Sequence, residues 1–101
     1  HANNDCIDIS SGNYKIIEIF NNFCGDKSIS AGEKSIVSIK NIVSRNSKIG
    51  LAAKDSSFVF IEKGNFNSNN ICVAVYRKKR EFDLATVDLV NVNCKKEIYP
   101  L

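Results

Sequence analysis

Short runs of β-branched and aromatic residues, separated by turn-forming residues, restrict the fold of this chain more than any other feature. No segment of helix length shows apolar side chains at helical spacing, whereas strand-like runs recur throughout. The clearest runs are 14–20, 34–43, 57–63, 71–77 and 84–94, with weaker candidates at 6–9 and 48–54. The last of these is also compatible with a short helical turn. The sequence therefore predicts an all-β protein.

Turn residues lie between these runs and decide how the strands are expected to connect. Gly, Asn and Ser concentrate in the segments 10–13, 24–28, 30–32, 44–47, 63–70 and 77–83. No amphipathic helix is found that would carry a parallel crossover, and we find no internal repeat. These features favour a compact antiparallel β-sandwich of about six to seven strands. A chain of 101 residues has room for a single domain, 1–101.

Four cysteines are spread over nearly the whole chain. They are Cys6, Cys24, Cys72 and Cys94, and no two of them have C-x-x-C spacing. The sole histidine is His1, so a metal site lacks obvious further ligands. We therefore predict no metal and two disulfides, in preference to four buried thiols. The three ways of pairing four cysteines remain open. Disulfides indicate an oxidising compartment, and hence a secreted protein.

Residues that carry catalytic chemistry are scarce. With His1 at the terminus, a Ser–His or Cys–His nucleophile pair is not available. Asp88 differs from the other acids because its predicted face also carries Val90 and Val92, but an edge position or a salt bridge explains it better than catalysis. No glycine motif for phosphate binding is present. The sequence predicts a protein that is not an enzyme and needs no cofactor.

A run of four cations follows one predicted strand. Tyr76 and Phe82 flank the cations Arg77, Lys78, Lys79 and Arg80. Aromatic residues beside cations occur in proteins that bind single-stranded nucleic acids, so an anion or nucleic-acid site is one interpretation. However, Glu81 and Asp83 follow directly, and the net charge is only +3. A solvated hairpin tip that blocks edge-to-edge aggregation is the interpretation we favour.

The segment 64–70 is the most conspicuous predicted loop. It is polar and carries one aromatic residue, Phe66. An aromatic residue at the tip of a polar loop is a common contact surface. Equally, Phe66 could fold back to cover the end of the sandwich, and the sequence does not separate these two outcomes.

Hydropathy gives no sign of a membrane-spanning segment. The longest apolar runs last only a few residues, whereas a spanning helix needs about 20. The chain begins with His1 rather than Met, which fits processing after a signal peptide.

The size of the chain, the cysteine in "NDCIDI" around Cys6 and a second cysteine pair bracketing strands resemble small secreted effectors of plant-pathogenic fungi. The nearest group is the MAX family. This resemblance implies a six-stranded sandwich of two antiparallel sheets, with a disulfide starting at the first strand. It also implies binding to host proteins, in some members through an edge strand. Separately, residues 16–41 are similar to the opening of thaumatin-like sandwiches.

Taken together, these observations predict a secreted, non-enzymatic binding protein, specifically a pathogen effector that engages a host protein outside or inside host cells. The alternatives are an anion- or nucleic-acid-binding β-domain, and a secreted inhibitor or toxin. The oligomeric state is left open. The candidate binding residues are Phe66, Tyr76, Arg77, Lys78, Lys79, Arg80 and Phe82.

Overall fold

The computed structural model describes residues 4–94 and 98–100. Strands make up most of the described residues, which contain no helix. The strands are β1 (Ile7–Ser10), β2 (Asn13–Asn22), β3 (Lys27–Gly32), β4 (Ile36–Arg45), β5 (Ile49–Lys54), β6 (Phe58–Asn67), β7 (Ile71–Tyr76), β8 (Thr86–Cys94) and β9 (Ile98–Pro100). The described residues therefore include no helix that could cross a membrane.

The strands form two parallel sheets, and the chain alternates between them. One sheet has the order β1-β3-β5-β7-β9 and the other the order β2-β4-β6-β8. The chain is therefore a β-solenoid of about three turns. The predicted antiparallel sandwich is wrong, and so is the sandwich architecture implied by the resemblance to the MAX family. Parallel pairing needs no helix here, because the crossover from β3 to β5 is itself a strand, β4, with a turn at each end.

Successive coils repeat after 22 residues through most of the solenoid. Ile29 pairs with Leu51, and Leu51 pairs with Val73, each 22 positions further along the chain. In the other sheet, Ile39 pairs with Ile61 at the same interval. The conclusion that the sequence holds no repeat is therefore wrong. Each coil buries its apolar face only by stacking on its neighbours, as in other repeat proteins.

The core lies between the two sheets and is built from stacked aliphatic side chains. Ile29, Leu51 and Val73 enter from one sheet and are fully buried. Ile39 and Ile61 enter from the other sheet and are fully buried as well. Burying one such side chain stabilises the fold by about 1.5–3 kcal/mol, so the repeated column is the main source of stability.

The sheet of β2, β4, β6 and β8 bends once in every coil. The lateral pairing skips the positions Ile17, Lys40, Glu62 and Val90, which we call the corner. In β4, for example, the corner residue and the one after it are both unburied and stand between the buried Ile39 and Ile42, so the inward and outward phases exchange there. As a result Val90 is 64% exposed, although Val92 packs against the core. The predicted common face of Asp88, Val90 and Val92 is wrong for this reason.

Each coil turns twice, and residues with positive φ recur at the same positions. Ser11, Lys34 and Ser56 follow the strands of the first sheet, and Phe23, Asn46 and Ser68 follow those of the second. Hydrogen bonds between coils hold the second set of turns. The Ser47 backbone N–H donates to Asn69 Oδ1 at 3.0 Å, and the Cys24 N–H donates to Ser47 Oγ at 3.2 Å.

Both disulfides lie at the ends of the solenoid. Cys6 is bonded to Cys24 within the first coil, and Cys72 is bonded to Cys94 within the last. The prediction of two disulfides is confirmed, and the pairing is now defined. Cys6 precedes β1 and Cys94 ends β8, and among the described strands each of these two has a neighbour on one side only, so each bridge fastens an edge strand to the rest of the solenoid. Two disulfides are compatible with an oxidising, extracellular environment.

The positions of the predicted strands are largely confirmed. Each predicted run overlaps a strand, and the helical turn considered near 48–54 is instead β5. β3 was not expected, because its residues were assigned to the turns 24–28 and 30–32. The predicted loop 63–70 was also wrong in part, since β6 continues to Asn67.

Candidate functional site

Strands β4, β6 and β8 present two columns of outward side chains on one face of the solenoid. Neighbours within a column are about 4.8 Å apart, because they lie on adjacent strands. The first column is Ile36, Phe58 and Thr86, and the second is Ser38, Phe60 and Asp88. The columns enclose a space of about 390 Å³, with Val37, Val59 and Val87 between them. We call this space the apolar groove.

The side chains that form the walls of the groove expose large apolar surfaces. Ile36 is 52% exposed, Phe58 is 58% exposed and Phe60 is 36% exposed. They point outward because their neighbours Val37 and Val59 fill the core, each 1% exposed. Single apolar side chains scattered over a protein surface are common, whereas three large ones grouped together are characteristic of contact sites.

One ionisable side chain, Asp88, lines the groove. It is exposed, and within the described residues no ion pair joins it to a cation. The opposite end of the same column continues to Lys15 on β2, which pairs with Ser38. The groove therefore offers apolar contact along its length and one negative charge at the β8 end. The described residues contain no cluster of three or more His, Cys, Asp or Glu side chains that could hold a metal ion.

The structure places Phe66 in the core rather than at a loop tip. Its side chain is 1% exposed. A Cβ added at Gly50 would lie 2.3 Å from Phe66 Cδ1, so the aromatic ring occupies the space that the glycine leaves. Phe66 therefore does not present its ring at the surface, and it lies on β6 within the core rather than over the end of a sandwich.

The cationic run lies in a connection between β7 and β8 that is longer than its counterparts. Residues 77–85 make this connection, whereas 33–35 and 55–57 suffice in the earlier coils. Asp55, which is 1% exposed, accepts hydrogen bonds from the backbone N–H groups of Lys78 at 2.7 Å and Lys79 at 2.9 Å. Ser56 Oγ accepts a further bond from the Asp83 N–H at 2.7 Å. The connection is therefore fastened to the preceding coil by its backbone.

The side chains around the cationic run are already partnered in part. Lys79 forms an ion pair with Glu33, and this hydrogen bond raises the pKa of the lysine. The ammonium of Lys34 lies 5.6 Å from the centre of the Phe82 ring. Arg77 and Arg80 remain exposed. The structure thus pairs one of the four cations with an acid and places Lys34 against Phe82, one of the two expected stacking residues.

Tyr76, the other flanking aromatic, is half-buried at the end of β7. Burial raises the pKa of its phenol, with the charge of nearby Lys27 opposing that shift. Tyr76 therefore belongs to the sheet surface, while Phe82 belongs to the long connection. The two aromatic residues that flank the cationic run therefore do not form one surface on which bases could stack.

Comparison with protein-family models, curated proteins and solved structures finds no match to this chain. The groove residues therefore have to be judged from their own chemistry. Sequence reasoning missed Ile36, Phe58 and Phe60 because it placed Ile36 and the two phenylalanines on different strands and did not predict that these strands are neighbours. The signal that could have joined them is the 22-residue interval between Ile36 and Phe58.

Proposed function

We propose that this protein is a secreted, non-enzymatic binding protein whose partner is another protein, held in the apolar groove. The observation that supports this most is the grouping of Ile36, Phe58 and Phe60, exposed by 52%, 58% and 36%, around one space of about 390 Å³. Large apolar and aromatic side chains of this kind form the centres of protein interfaces. The proposed occupant is an extended segment with apolar side chains.

The negative charge in the groove indicates which charged residue the bound segment carries. Asp88 ends the second column without a cation from the described residues. A lysine or arginine placed next to the apolar side chains of the segment would pair with this carboxylate and fix the direction of binding. The proposed segment is therefore apolar with a basic residue at the β8 end.

Secretion is the second part of the proposal and is supported by the two disulfides, which persist in oxidising compartments. The partner would then be an extracellular or host protein. That the chain is a pathogen effector stays a prediction. An anion or nucleic-acid site receives less support, because Lys79 and Phe82 are engaged by Glu33 and Lys34.

Selection from a displayed library of random peptides tests the proposed function. We expect enrichment of peptides that combine aromatic or aliphatic residues with lysine or arginine. Phe58→Ser should weaken the binding of a selected synthetic peptide by at least about thirtyfold, because an interface centre is lost. Asp88→Asn should weaken it by about tenfold, because the charge is removed.

The matched control is Val90→Ser, which removes an exposed apolar side chain on β8 outside the groove and should leave peptide binding unchanged. The proposal is contradicted if the selected peptides are acidic. It is also contradicted if their binding survives Phe58→Ser but is lost when Arg77, Lys78 and Arg80 become serine.

A further inference from the structure

Strand β2 forms an open edge of its sheet. It spans ten residues, and β4 is its sole neighbour in the described part of the chain. Neither proline nor glycine interrupts it, and it exposes Ile17 by 70% and Phe20 by 60%. Natural proteins usually blunt such an edge with short strands, prolines, bulges or charged side chains, and of these β2 carries only the two charges of Lys15 and Glu18, which have opposite signs.

The backbone groups that β2 leaves unpaired are identified by its bonds to β4. The Ile36 N–H donates to the Gly12 carbonyl at 2.8 Å, and the Phe23 N–H donates to the Arg45 carbonyl at 3.1 Å. In a parallel ladder alternate residues bond to the same neighbour. From Gly12 inward, every second residue bonds to β4, so Lys15 does not. From Phe23 inward, every second residue likewise bonds to β4, so Glu18 does not. The N–H and C=O groups of Lys15 and Glu18 therefore point away from β4.

We infer that a second copy of this chain pairs with β2 in antiparallel orientation, about a two-fold axis between Ile16 and Ile17. In this register Lys15 lies opposite Glu18 of the partner subunit, and the two backbones exchange hydrogen bonds. The same contact occurs again on the other side of the axis. In this register Ile17, the corner residue of β2, lies opposite Ile16 of the partner subunit, so the bends of the two strands are only one residue apart.

The alternation of side chains agrees with this register. Lys15 and Glu18 are both exposed and both point outward, so their cross-strand contact lies on the outer face of the joined sheet. On the inner face, Tyr14, 39% exposed, would lie opposite Ile19 of the partner subunit. At these two positions the pairing joins opposite charges on the outer face and apolar side chains on the inner face, which stabilises a joined sheet.

The charges of β2 favour a second copy over an unrelated strand. A lysine and a glutamate placed symmetrically about an axis are self-complementary, so one surface serves both partners. The opposite edge, β8, carries Asp88 and lacks a cation to match it. Pairing of β2 with the β8 of another copy would also fail to close and would produce filaments. The β2 contact leaves the apolar groove on β4, β6 and β8 accessible, so it is independent of the proposed function.

Sedimentation velocity of the intact, oxidised protein tests the inference. We expect a concentration-dependent equilibrium between monomer and dimer. Lys15→Glu and Glu18→Lys should each weaken dimerisation by about tenfold, because each places like charges opposite one another twice. The double variant, Lys15→Glu with Glu18→Lys, should restore the dimer. That restoration would not follow from a merely structural effect of the single changes.

Ile17→Lys should abolish the dimer, whereas Val90→Lys, at the same corner position on the β8 edge, should not change it. Circular dichroism of each variant would establish that the fold is retained. A monomer at every soluble concentration would overturn the inference. Filaments, or a dimer that is lost in Val90→Lys and kept in Ile17→Lys, would overturn it equally.

Discussion

Replacing Phe66 with alanine is expected to lower the free energy of unfolding by about 3–5 kcal/mol. The ring is 1% exposed and fills the space beside Gly50, where no Cβ is present. Its neighbours in register are Ser44 and Cys94, which are too small to close the cavity that alanine would leave. A domain of this size has a total stability of about 5–15 kcal/mol, so the loss would be severe.

Phe58→Ala is the control for this prediction, because Phe58 lies on the same strand but points outward and is 58% exposed. Its replacement should change stability by no more than about 0.5 kcal/mol, as is usual for surface positions. Denaturant titration followed by circular dichroism measures both variants. Equal losses for Phe66→Ala and Phe58→Ala would show that Phe66 is not in the core.

Reducing both disulfides is expected to remove about 6 kcal/mol of stability, or about 3 kcal/mol for each bridge. The bridges close segments of 18 and 22 residues. Each bridge lowers the conformational entropy of its segment in the unfolded chain, which stabilises the folded state. They also fasten β1 and β8, each of which has one neighbouring strand among the described residues. We therefore expect the reduced protein to be largely unfolded at room temperature.

A peptide map of the unreduced protein provides the check on this prediction. It should contain one cross-linked pair with Cys6 and Cys24 and another with Cys72 and Cys94. A bridge between the two halves of the chain, such as Cys6 to Cys94, would contradict the closure of single coils. A reduced protein whose denaturation midpoint equals that of the oxidised form would contradict the expected loss of stability.

Much of the local structure could be predicted from the sequence, because strand formation depends on nearby residues. The runs around Ile39, Ile61 and Val73 carry enough β-branched side chains to identify their strands. The cysteine spacing likewise predicted disulfides in place of a metal site. These inferences needed no knowledge of which strands are neighbours.

The direction of pairing was not predictable in the same way. Glycine and asparagine are the residues expected at positive φ, yet the recurring turn positions hold Phe23, Lys34 and Ser56. At these three positions the sequence predicted no turn, so the regular recurrence of the turns was not visible in it. The 22-residue repeat was obscured further by the long connection at 77–85, which displaces β8 from its expected position.

The candidate site depended on that missing information. Phe58 and Ile36 become neighbours only through parallel register, and no local pattern in either strand predicts a groove. Phe66 was ambiguous because the turn residues around it suggested a loop, whereas β6 extends past it. The cationic run was conspicuous in sequence, but Glu33 and Asp55, which engage it, lie in earlier coils.

Proton–proton contacts in a nuclear Overhauser spectrum of the labelled protein test the parallel solenoid most directly. The account predicts backbone contacts between Ile29 and Leu51, between Leu51 and Val73, and between Ile39 and Ile61, so that contacting residues differ by a constant 22. Antiparallel strands would instead give contacts whose residue numbers have a constant sum. A spectrum with constant sums between consecutive strands would contradict the solenoid, together with the groove and the edge that depend on it.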